Sequence, residues 1–301
     1  MITIELKYNV TQIEEGFTIT HILKDKLFVS NRLLIKLKMN QKILVNDLPV
    51  FSNHIVHTGD YIKVKLDFEE TDFITPEKIE LDILYEDEYF LAVNKPAGMV
   101  VHPSANHLSG TLANGVKYYL NNKKRIRPIN RLDRDTSGIV LFAKNEYIQE
   151  LMIKNVVIQK EYIAIVDGII EEKSGTINAP IARKPGSIME RCISEEGQTA
   201  ITHYEVLNEI LHKNESYKGN QTSKLSVVKL KLETGRTHQI RVHLAYLGNP
   251  IIGDTLYGNE SNLIKRQALH AYLMEFNHPI LNKRVLVQSG LPADMKIIIQ
   301  N

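Results

Sequence analysis

From Leu81 to its end, the chain alternates short apolar segments of strand length with turn residues and a few helical stretches. The apolar segments lie at residues 81–85, 90–93, 139–143, 162–166, 225–232 and 285–287. Short runs rich in β-branched and aromatic residues, bounded by turn residues, are typical of strands. Because helices do not separate them at the regular spacing of βαβ units, the pattern predicts an α+β sheet domain over residues 81–301.

Residues 1–70 differ in pattern and predict a small α/β module. An apolar period through residues 27–37 indicates a helix, the short segment 43–47 follows it, and residues 57–65 alternate in the way that is typical of a strand. Residues 71–80 are acidic and interrupted by a proline, which predicts a flexible linker between this front module and the larger domain.

The composition is that of an ordinary globular protein. With 301 residues, of which 43% are hydrophobic and 24% charged, the chain is long enough for one large and one small domain. The single cysteine, Cys192, cannot form an internal disulfide, and no signal peptide or long apolar stretch is present, so we expect a cytoplasmic protein without a membrane role. The histidines lack metal-ligand spacing, so we expect no bound metal.

Basic residues are concentrated in two runs, although the net charge of the whole chain is only +2. Residues 24–42 contain six basic residues and one acid, a net charge of +5, and residues 117–134 contain seven and one, a net charge of +6. One such run is typical of a solvated helix face, but two favour a partner that carries phosphates. The candidate phosphate contacts are Arg32, Lys36, Lys38, Lys123, Lys124, Arg125 and Arg127.

Residues 130–138, Asn-Arg-Leu-Asp-Arg-Asp-Thr-Ser-Gly, place a carboxylate between two guanidinium groups directly before an apolar strand. The neighbouring cations of Arg131 and Arg134 favour the ionised form of Asp133, and an ionised carboxylate can act as a nucleophile. Asp-Thr-Ser-Gly is also good turn chemistry, since short polar side chains bond nearby backbone and glycine adopts positive φ. The residues alone therefore leave a nucleophile and a plain turn both open.

A longer stretch, residues 128–144, resembles the central motif of the RluA/RluD-like family of large-subunit ribosomal RNA pseudouridine synthases, which usually reads His-Arg-Leu-Asp-x-x-Thr-Ser-Gly. Asn130 stands where that family most often has histidine. Further segments that are similar to the family's motifs, in the same order, lie at residues 85–103, 160–166 and 232–248, and the closing motif lies at residues 249–258 and 267–273. The front residues 30–64 resemble the alpha-L RNA-binding motif that often precedes these synthases.

The resemblance implies a catalytic domain of the pseudouridine synthase type, with a mixed, mainly antiparallel sheet. It implies conversion of specific uridines to pseudouridine in RNA, most often large-subunit ribosomal RNA, after the target base is flipped out of its helix. No cofactor or metal is implied, because the reaction involves no net oxidation or group transfer. The basic runs would bind RNA, and we expect a monomer that acts on ribosomal RNA or a precursor large subunit.

The resemblance also assigns roles to individual residues. Asp133 is the expected nucleophile, with attack at either C1′ of the ribose or C6 of the uracil left open. Arg241 would pair with Asp133, Tyr162 would lie against the target base, and Arg131 would fill the gap that the flipped base leaves. The candidate substrate-binding residues are Arg131, Arg134, Lys160 and Ile240.

Other residues of these motifs predict structure rather than chemistry. Residues 95–98 are typical of a turn, and residues 249–258 of fold-defining turns. His238 and His243 are five positions apart, the wrong spacing for two ligands on one helix face, so we interpret them as structural or RNA-contacting. The polar residues 208–223 predict a protruding loop.

Two alternative functions remain open from the sequence. A transfer-RNA-directed synthase of the same fold would use the same catalytic residues, and only the front module favours ribosomal RNA. A non-catalytic RNA-binding ribosome-assembly factor would keep the fold and lose the chemistry, and only Asn130 favours it.

Overall fold

The computed structural model describes residues 4–68, 72–104, 107–121, 125–214 and 221–300. Its helices are α1 (Ile19–Asp25), α2 (Asn31–Met39), α3 (Leu112–Tyr119), α4 (Glu146–Asn155), α5 (Gln239–Tyr246) and α6 (Ala293–Gln300). Its first strands are β1 (Ile4–Asn9), β2 (Ile43–Val45), β3 (Leu48–Pro49), β4 (Tyr61–Leu66), β5 (Asp82–Glu86), β6 (Phe90–Lys95), β7 (Arg127–Pro128) and β8 (Ser137–Ala143). The others are β9 (Gln159–Asp167), β10 (Ser174–Asn178), β11 (Ile181–Arg183), β12 (Arg191–Ile193), β13 (Ile201–Asn214), β14 (Gln221–Leu232), β15 (Leu269–Asn277) and β16 (Arg284–Gln288).

The front module is an antiparallel sheet, in the order β1-β4-β2-β3, with α1 and α2 packed on it. Helix α2 begins after Ser30, whose hydroxyl accepts a hydrogen bond from the Leu33 N–H at 3.2 Å. Strand β4 begins at Tyr61 because a turn precedes it, in which the Asp60 carboxylate accepts a hydrogen bond from the His57 N–H at 2.8 Å. The helix and strands expected in this module are therefore present.

The larger domain is built on one sheet with the order β10-β13-β14-β9-β15-β8-β6-β5, to which β7 and β16 add at β8 and β15. The pairing of β8 with β15 is parallel, and the other pairs described in this sheet are antiparallel. Each of the six apolar segments identified in the sequence overlaps a strand of this sheet. The predicted mixed, mainly antiparallel sheet is confirmed.

The loop expected at residues 208–223 is wrong over much of its length. Strand β13 continues to Asn214, β14 begins at Gln221, and their backbones pair from Asn208 opposite Val227 to the ends of both strands. Backbone pairing needs no apolar face, so a polar ribbon that extends past the core has the composition of a loop and the hydrogen bonds of a hairpin. The tip, residues 215–220, lies outside the described residues.

The segment that connects the two parts of the chain packs on the catalytic domain. Asp72 accepts hydrogen bonds from the Lys117 ammonium at 2.7 Å and from the Ile126 N–H at 2.9 Å, and Ile74 is buried in the cluster that contains the apolar face of α3. The composition predicts a flexible linker, but these contacts fix the segment on the domain. Acidic residues can keep a linker in solvent or, as here, pair with a buried lysine, so the composition does not distinguish the two cases. Residues 69–71 lie outside the described residues, and the domain boundaries remain predictions.

The front module also contacts helix α4 directly. The Tyr147 hydroxyl donates a hydrogen bond to the Leu27 carbonyl at 2.9 Å. Glu146 lies 3.2 Å from the Arg32 Nε and 3.4 Å from the Lys36 ammonium. Apolar residues of the front module and of the catalytic sheet belong to one buried cluster, so the module is docked in this structure. Among the helices of the described ranges, none has the length and apolar character to cross a membrane.

Candidate active site

The loop between β7 and β8 carries Asp133, and the Asn130 side chain fixes the start of this loop. The buried Asn130 amide donates a hydrogen bond to the Ile139 carbonyl at 3.0 Å and accepts one from the Leu141 N–H at 2.8 Å. Both partners are backbone groups of β8, so the side chain continues the strand pairing where the backbone leaves it. Asn130 therefore has a structural role that positions the start of this loop.

Lys95 fixes the other side of the same loop. Its ammonium is completely buried and donates hydrogen bonds to the carbonyls of Pro96, Met99 and Arg134 at 2.9, 2.7 and 2.8 Å. Three carbonyl acceptors match the three donors of a lysine ammonium. Burial lowers the pKa of Lys95 to about 7, although the nearby negative charge of Asp135 acts to raise it. The turn at residues 95–98 thus has the expected structural role, because it anchors the loop that carries Asp133.

Gly138 sets the end of this loop at the centre of the sheet. It adopts a φ of +112°, and a Cβ atom at this position would lie 2.2 Å from the carbonyl oxygen of Ala271. Only glycine permits this approach of β15 to β8. The prediction that the glycine of the Asp-Thr-Ser-Gly turn adopts positive φ is confirmed.

Asp133 is paired with Arg241, which extends from the first turn of α5. The Arg241 Nη1 donates to an Asp133 carboxylate oxygen at 3.0 Å, and its Nε and Nη2 donate to the two oxygens of Asp254 at 2.7 and 2.8 Å. Burial alone would lower the pKa of Arg241, but the hydrogen bonds and charge of Asp254, with the charge of Asp133, raise it. A permanently charged guanidinium, held by one carboxylate, is therefore directed at the other.

The cations adjacent to Asp133 in sequence have other contacts. Arg134 donates from Nε to the Gly98 carbonyl at 3.3 Å and lies 3.9 Å from an Asp135 oxygen, while Arg131 is exposed. The cation that contacts Asp133 is Arg241, 108 positions later in the chain. The structure thus pairs Asp133 with a distant arginine in place of the two neighbouring arginines that the sequence suggests.

Tyr162 and Lys160 project from one face of β9, because residues two apart on a strand share a face. Tyr162 is only 7% exposed, and burial, with the charge of Asp133, raises the pKa of its phenol. Burial lowers the pKa of Lys160. Tyr162 is thus a protonated, apolar surface beside the carboxylate, which suits contact with the face of a base.

These side chains line a cleft of about 970 Å³. The predicted residues that it brings together are Arg32, Arg125, Arg127, Arg131, Asp133, Lys160, Tyr162, Ile240 and Arg241. Arg32 reaches the cleft from the docked front module. The Asp133 side chain is 29% exposed, so it is accessible from the cleft.

Among the predicted basic residues, Arg127 and Lys36 are less exposed than their charge suggests. Arg127 is 5% exposed and donates to the Arg125 carbonyl at 3.2 Å, so its charge is turned into the protein. Lys36 pairs with Glu146 and lies 4.2 Å from the centre of a phenylalanine ring, whereas Lys38 is exposed on α2. The remaining two, Lys123 and Lys124, lie outside the described residues.

Two residues of this site, Asp254 and His238, had no catalytic assignment from the sequence. Asp254 is 1% exposed and holds Arg241, yet its Oδ1 also accepts the Leu256 N–H at 3.1 Å, so the predicted turn is real. His238, at the N-cap of α5, has Nε2 3.8 Å from an Asp133 oxygen and Nδ1 2.8 Å from the Tyr257 hydroxyl oxygen. The one signal in the sequence for a buried carboxylate was the position of Asp254, directly after two isoleucines and a glycine.

Two protein-family models match the chain. Residues 89–246 match the model of the RNA pseudouridylate synthase family, and residues 6–62 match that of the RluD ribosomal pseudouridine synthase N-terminal domain. The RNA pseudouridine synthase YhcT of Bacillus subtilis (strain 168) is 39% identical over 97% of this chain and 95% of its own. Ribosomal large subunit pseudouridine synthase D of Pseudomonas aeruginosa is 36% identical over 80% of this chain and 77% of its own.

A solved structure supports the same assignment. Human RNA pseudouridylate synthase domain containing 1 superposes with a TM-score of 0.58 and 30% identity, over 71% of this chain and 84% of its own. The family model spans more than half of the chain, and the Bacillus relative spans nearly all of it. The chain therefore belongs to the RNA pseudouridine synthase family and is an enzyme that isomerises uridine to pseudouridine in RNA.

Proposed function

We propose that this enzyme modifies specific uridines of large-subunit ribosomal RNA, with Asp133 as the nucleophile and a flipped-out uridine as the reacting group. The observation that carries the proposal is the 3.0 Å contact between Arg241 and Asp133 in a cleft of about 970 Å³. The relative named ribosomal large subunit pseudouridine synthase D and the match of the front module to an RluD N-terminal domain support ribosomal RNA as the substrate. The enzyme acts in the cytoplasm as a monomer, on ribosomal RNA or a precursor large subunit.

Arg241 orients the nucleophile. Its Nη1 donates to an Asp133 carboxylate oxygen at 3.0 Å, and Asp254 prevents the guanidinium from rotating away. Orientation is set before substrate binds, which lowers the reorganisation needed during reaction.

The cleft accommodates a nucleotide that has left its helix. Flipping costs a few kcal/mol, and less at unpaired sites, so loops are favoured targets. Tyr162 covers the uracil face, and Arg131, which is exposed at the cleft, fills the space the base leaves. Arg32 and Arg125 are exposed at the same cleft and contact phosphates.

The reaction breaks the N1–C1′ bond and forms a C5–C1′ bond after the uracil rotates. Asp133 attacks either C1′, displacing uracil, or C6 of the ring. On the first route the carboxylate leaves C1′ as C5 bonds there, and on the second it leaves C6 as C5 loses its proton. The atoms of substrate and product are the same, so the reaction needs no redox partner. Arg241 stabilises the carboxylate each time it is released.

Replacement of Asp133 by asparagine tests the nucleophile. We expect Asp133→Asn to abolish tritium release from ribosomal RNA labelled at C5 of uridine, because an amide cannot attack, while RNA affinity changes little. The matched control is Asp135→Asn, two residues away, where the side chain pairs with Arg134 and we expect activity to remain. Turnover by Asp133→Asn would remove this residue from its role.

A further inference from the structure

The new carbon–carbon bond leaves a hydrogen on C5 that must depart as a proton. Its bonding pair forms the C5=C6 double bond. On the C1′ route the C6=N1 pair then moves onto N1, which takes up a proton from water, and on the C6 route the Asp133 carboxylate is expelled from C6. At this point C5 occupies the place beside C1′ that N1 held before. The group that accepts the C5 proton must therefore lie close to Asp133, if Asp133 is the nucleophile of the proposed function.

His238 is a titratable group in that position. Its Nε2 lies 3.8 Å from an Asp133 carboxylate oxygen, and the side chain lines the same cleft. Two other groups near Asp133 are poorly suited to accept a proton, because Tyr162 is a buried phenol and Arg241 stays charged.

The protein holds His238 in place at the expense of backbone strain. Its φ is +58°, a left-handed conformation that is uncommon for residues other than glycine and that clusters at functional sites. The ring is fixed at Nδ1 by the Tyr257 hydroxyl at 2.8 Å, and that hydroxyl also accepts the backbone N–H of Arg191 at 2.8 Å. When Nδ1 donates to Tyr257, Nε2 carries a free lone pair on the side of Asp133.

We propose that His238 is the general base that removes the C5 proton after the carbon–carbon bond has formed. Nε2 takes the proton, and the resulting imidazolium, stabilised by the charge of Asp133, passes it to water. Atoms and charge balance, since the C5 proton is lost and N1 gains one. This role rests on the proposed function and adds a second catalytic residue to it.

The surroundings of His238 favour its neutral form. Burial lowers the pKa of His238 most, the charges of Arg241 and Arg191 lower it further, and the charges of Asp133 and Asp254 oppose them. The neutral imidazole, which is the form that accepts a proton, therefore persists below the ordinary pKa of histidine. Activity should therefore be lost, as His238 becomes protonated, only at a pH below the ordinary pKa of histidine.

Two variants test the proposal without breaking the helix start. Asparagine tolerates a left-handed φ and does not titrate, so His238→Asn keeps the backbone and removes the base. We expect at least about a 100-fold slower single turnover. We also expect a larger rate ratio between RNA with hydrogen and RNA with deuterium at C5 of uridine than the wild type has. His238→Gly, which adopts positive φ freely and leaves space for a small molecule, should regain activity with added imidazole.

The control is His243→Asn on the same helix, since His243 is buried and bonded to Thr202 and Ala179. If His238 has only a structural role, its variants should behave like this control. They should be slower than the wild type, keep the wild-type isotope ratio and show no rescue by imidazole. That result for His238→Asn and His238→Gly would overturn the proposal while leaving the proposed function in place. Absence of pseudouridine with the wild-type enzyme would overturn both.

Discussion

Arg241 joins two carboxylates that have different roles. Asp254 is buried and accepts hydrogen bonds from Nε and Nη2 of the guanidinium, whereas Asp133 is 29% exposed and accepts one from Nη1. The buried pair fixes the arginine, and the arginine in turn orients Asp133. Bidentate geometry is available to arginine and not to lysine.

At the residue scale, Asp254→Asn should impair both stability and catalysis. The substitution leaves a buried guanidinium facing an amide, which costs about 3–5 kcal/mol of unfolding free energy, as for other broken buried pairs. Turnover should fall because Arg241 loses its orientation, while RNA affinity stays close to that of the wild type. Chemical denaturation and single-turnover kinetics measure the two effects.

Asp294→Asn is the matched control for the stability effect. Arg266 and Asp294 form a similar two-bond pair at 2.8 and 2.9 Å, but the Asp294 side chain is 41% exposed. Solvent screens this pair, so its loss should cost less. Equal losses in the two variants would contradict the view that burial sets the importance of Asp254.

The sequence motifs were sufficient to predict Asp133, Tyr162 and Arg241 as neighbours, because they recur in a recognisable order. His238 and Asp254 could not be assigned in the same way. Their importance depends on contacts with residues more than ten positions away, and each also fits an ordinary structural position, a helix N-cap and a turn. Sequence spacing carries no information on such distances.

At the element scale, helix α4 connects the front module to the cleft through Glu146. This carboxylate is 12% exposed and neutralises Arg32 and Lys36, two residues predicted to bind RNA. Arg32 is 74% exposed, and pairs this open contribute about 0–1 kcal/mol to stability. The shared apolar cluster, and not these ion pairs, therefore holds the module in its docked position.

Removal of the Glu146 charge should strengthen RNA binding and change stability little. In Glu146→Gln, Arg32 at the cleft loses its carboxylate partner, so we expect tighter RNA binding and a salt dependence steeper by about 1, in log affinity against log salt. Titrations of RNA at several salt concentrations measure the slope. Glu172→Gln, at an exposed position, is the control, and a slope equal to that control would contradict the prediction.

The elements themselves were predictable where a continuous apolar run or an apolar alternation marks a buried strand, as in β8 and β14 respectively. The polar ends of β13 and β14 were not, because their pairing is a property of the backbone. The docking of the module was not predictable either, because the apolar cluster that holds it joins residues that are far apart in the chain.

At the scale of the whole molecule, the docked front module and the catalytic sheet form one surface around the cleft. Arg32 from the module and Arg125 and Arg131 from the catalytic domain line the same opening. An RNA that places a uridine at Asp133 therefore passes within reach of both parts. This arrangement predicts selection of the target by the structure around the uridine as well as by the uridine itself.

The most direct test of the central claim, Asp133-dependent modification of ribosomal RNA, is a pseudouridine map of cellular RNA. Cells that lack this protein should lose one or more pseudouridines from large-subunit ribosomal RNA, detected as missing reverse-transcription stops. Those sites should return with the wild-type chain and stay absent with Asp133→Asn. An unchanged ribosomal map, losses confined to transfer RNA, or restoration by Asp133→Asn would contradict the claim.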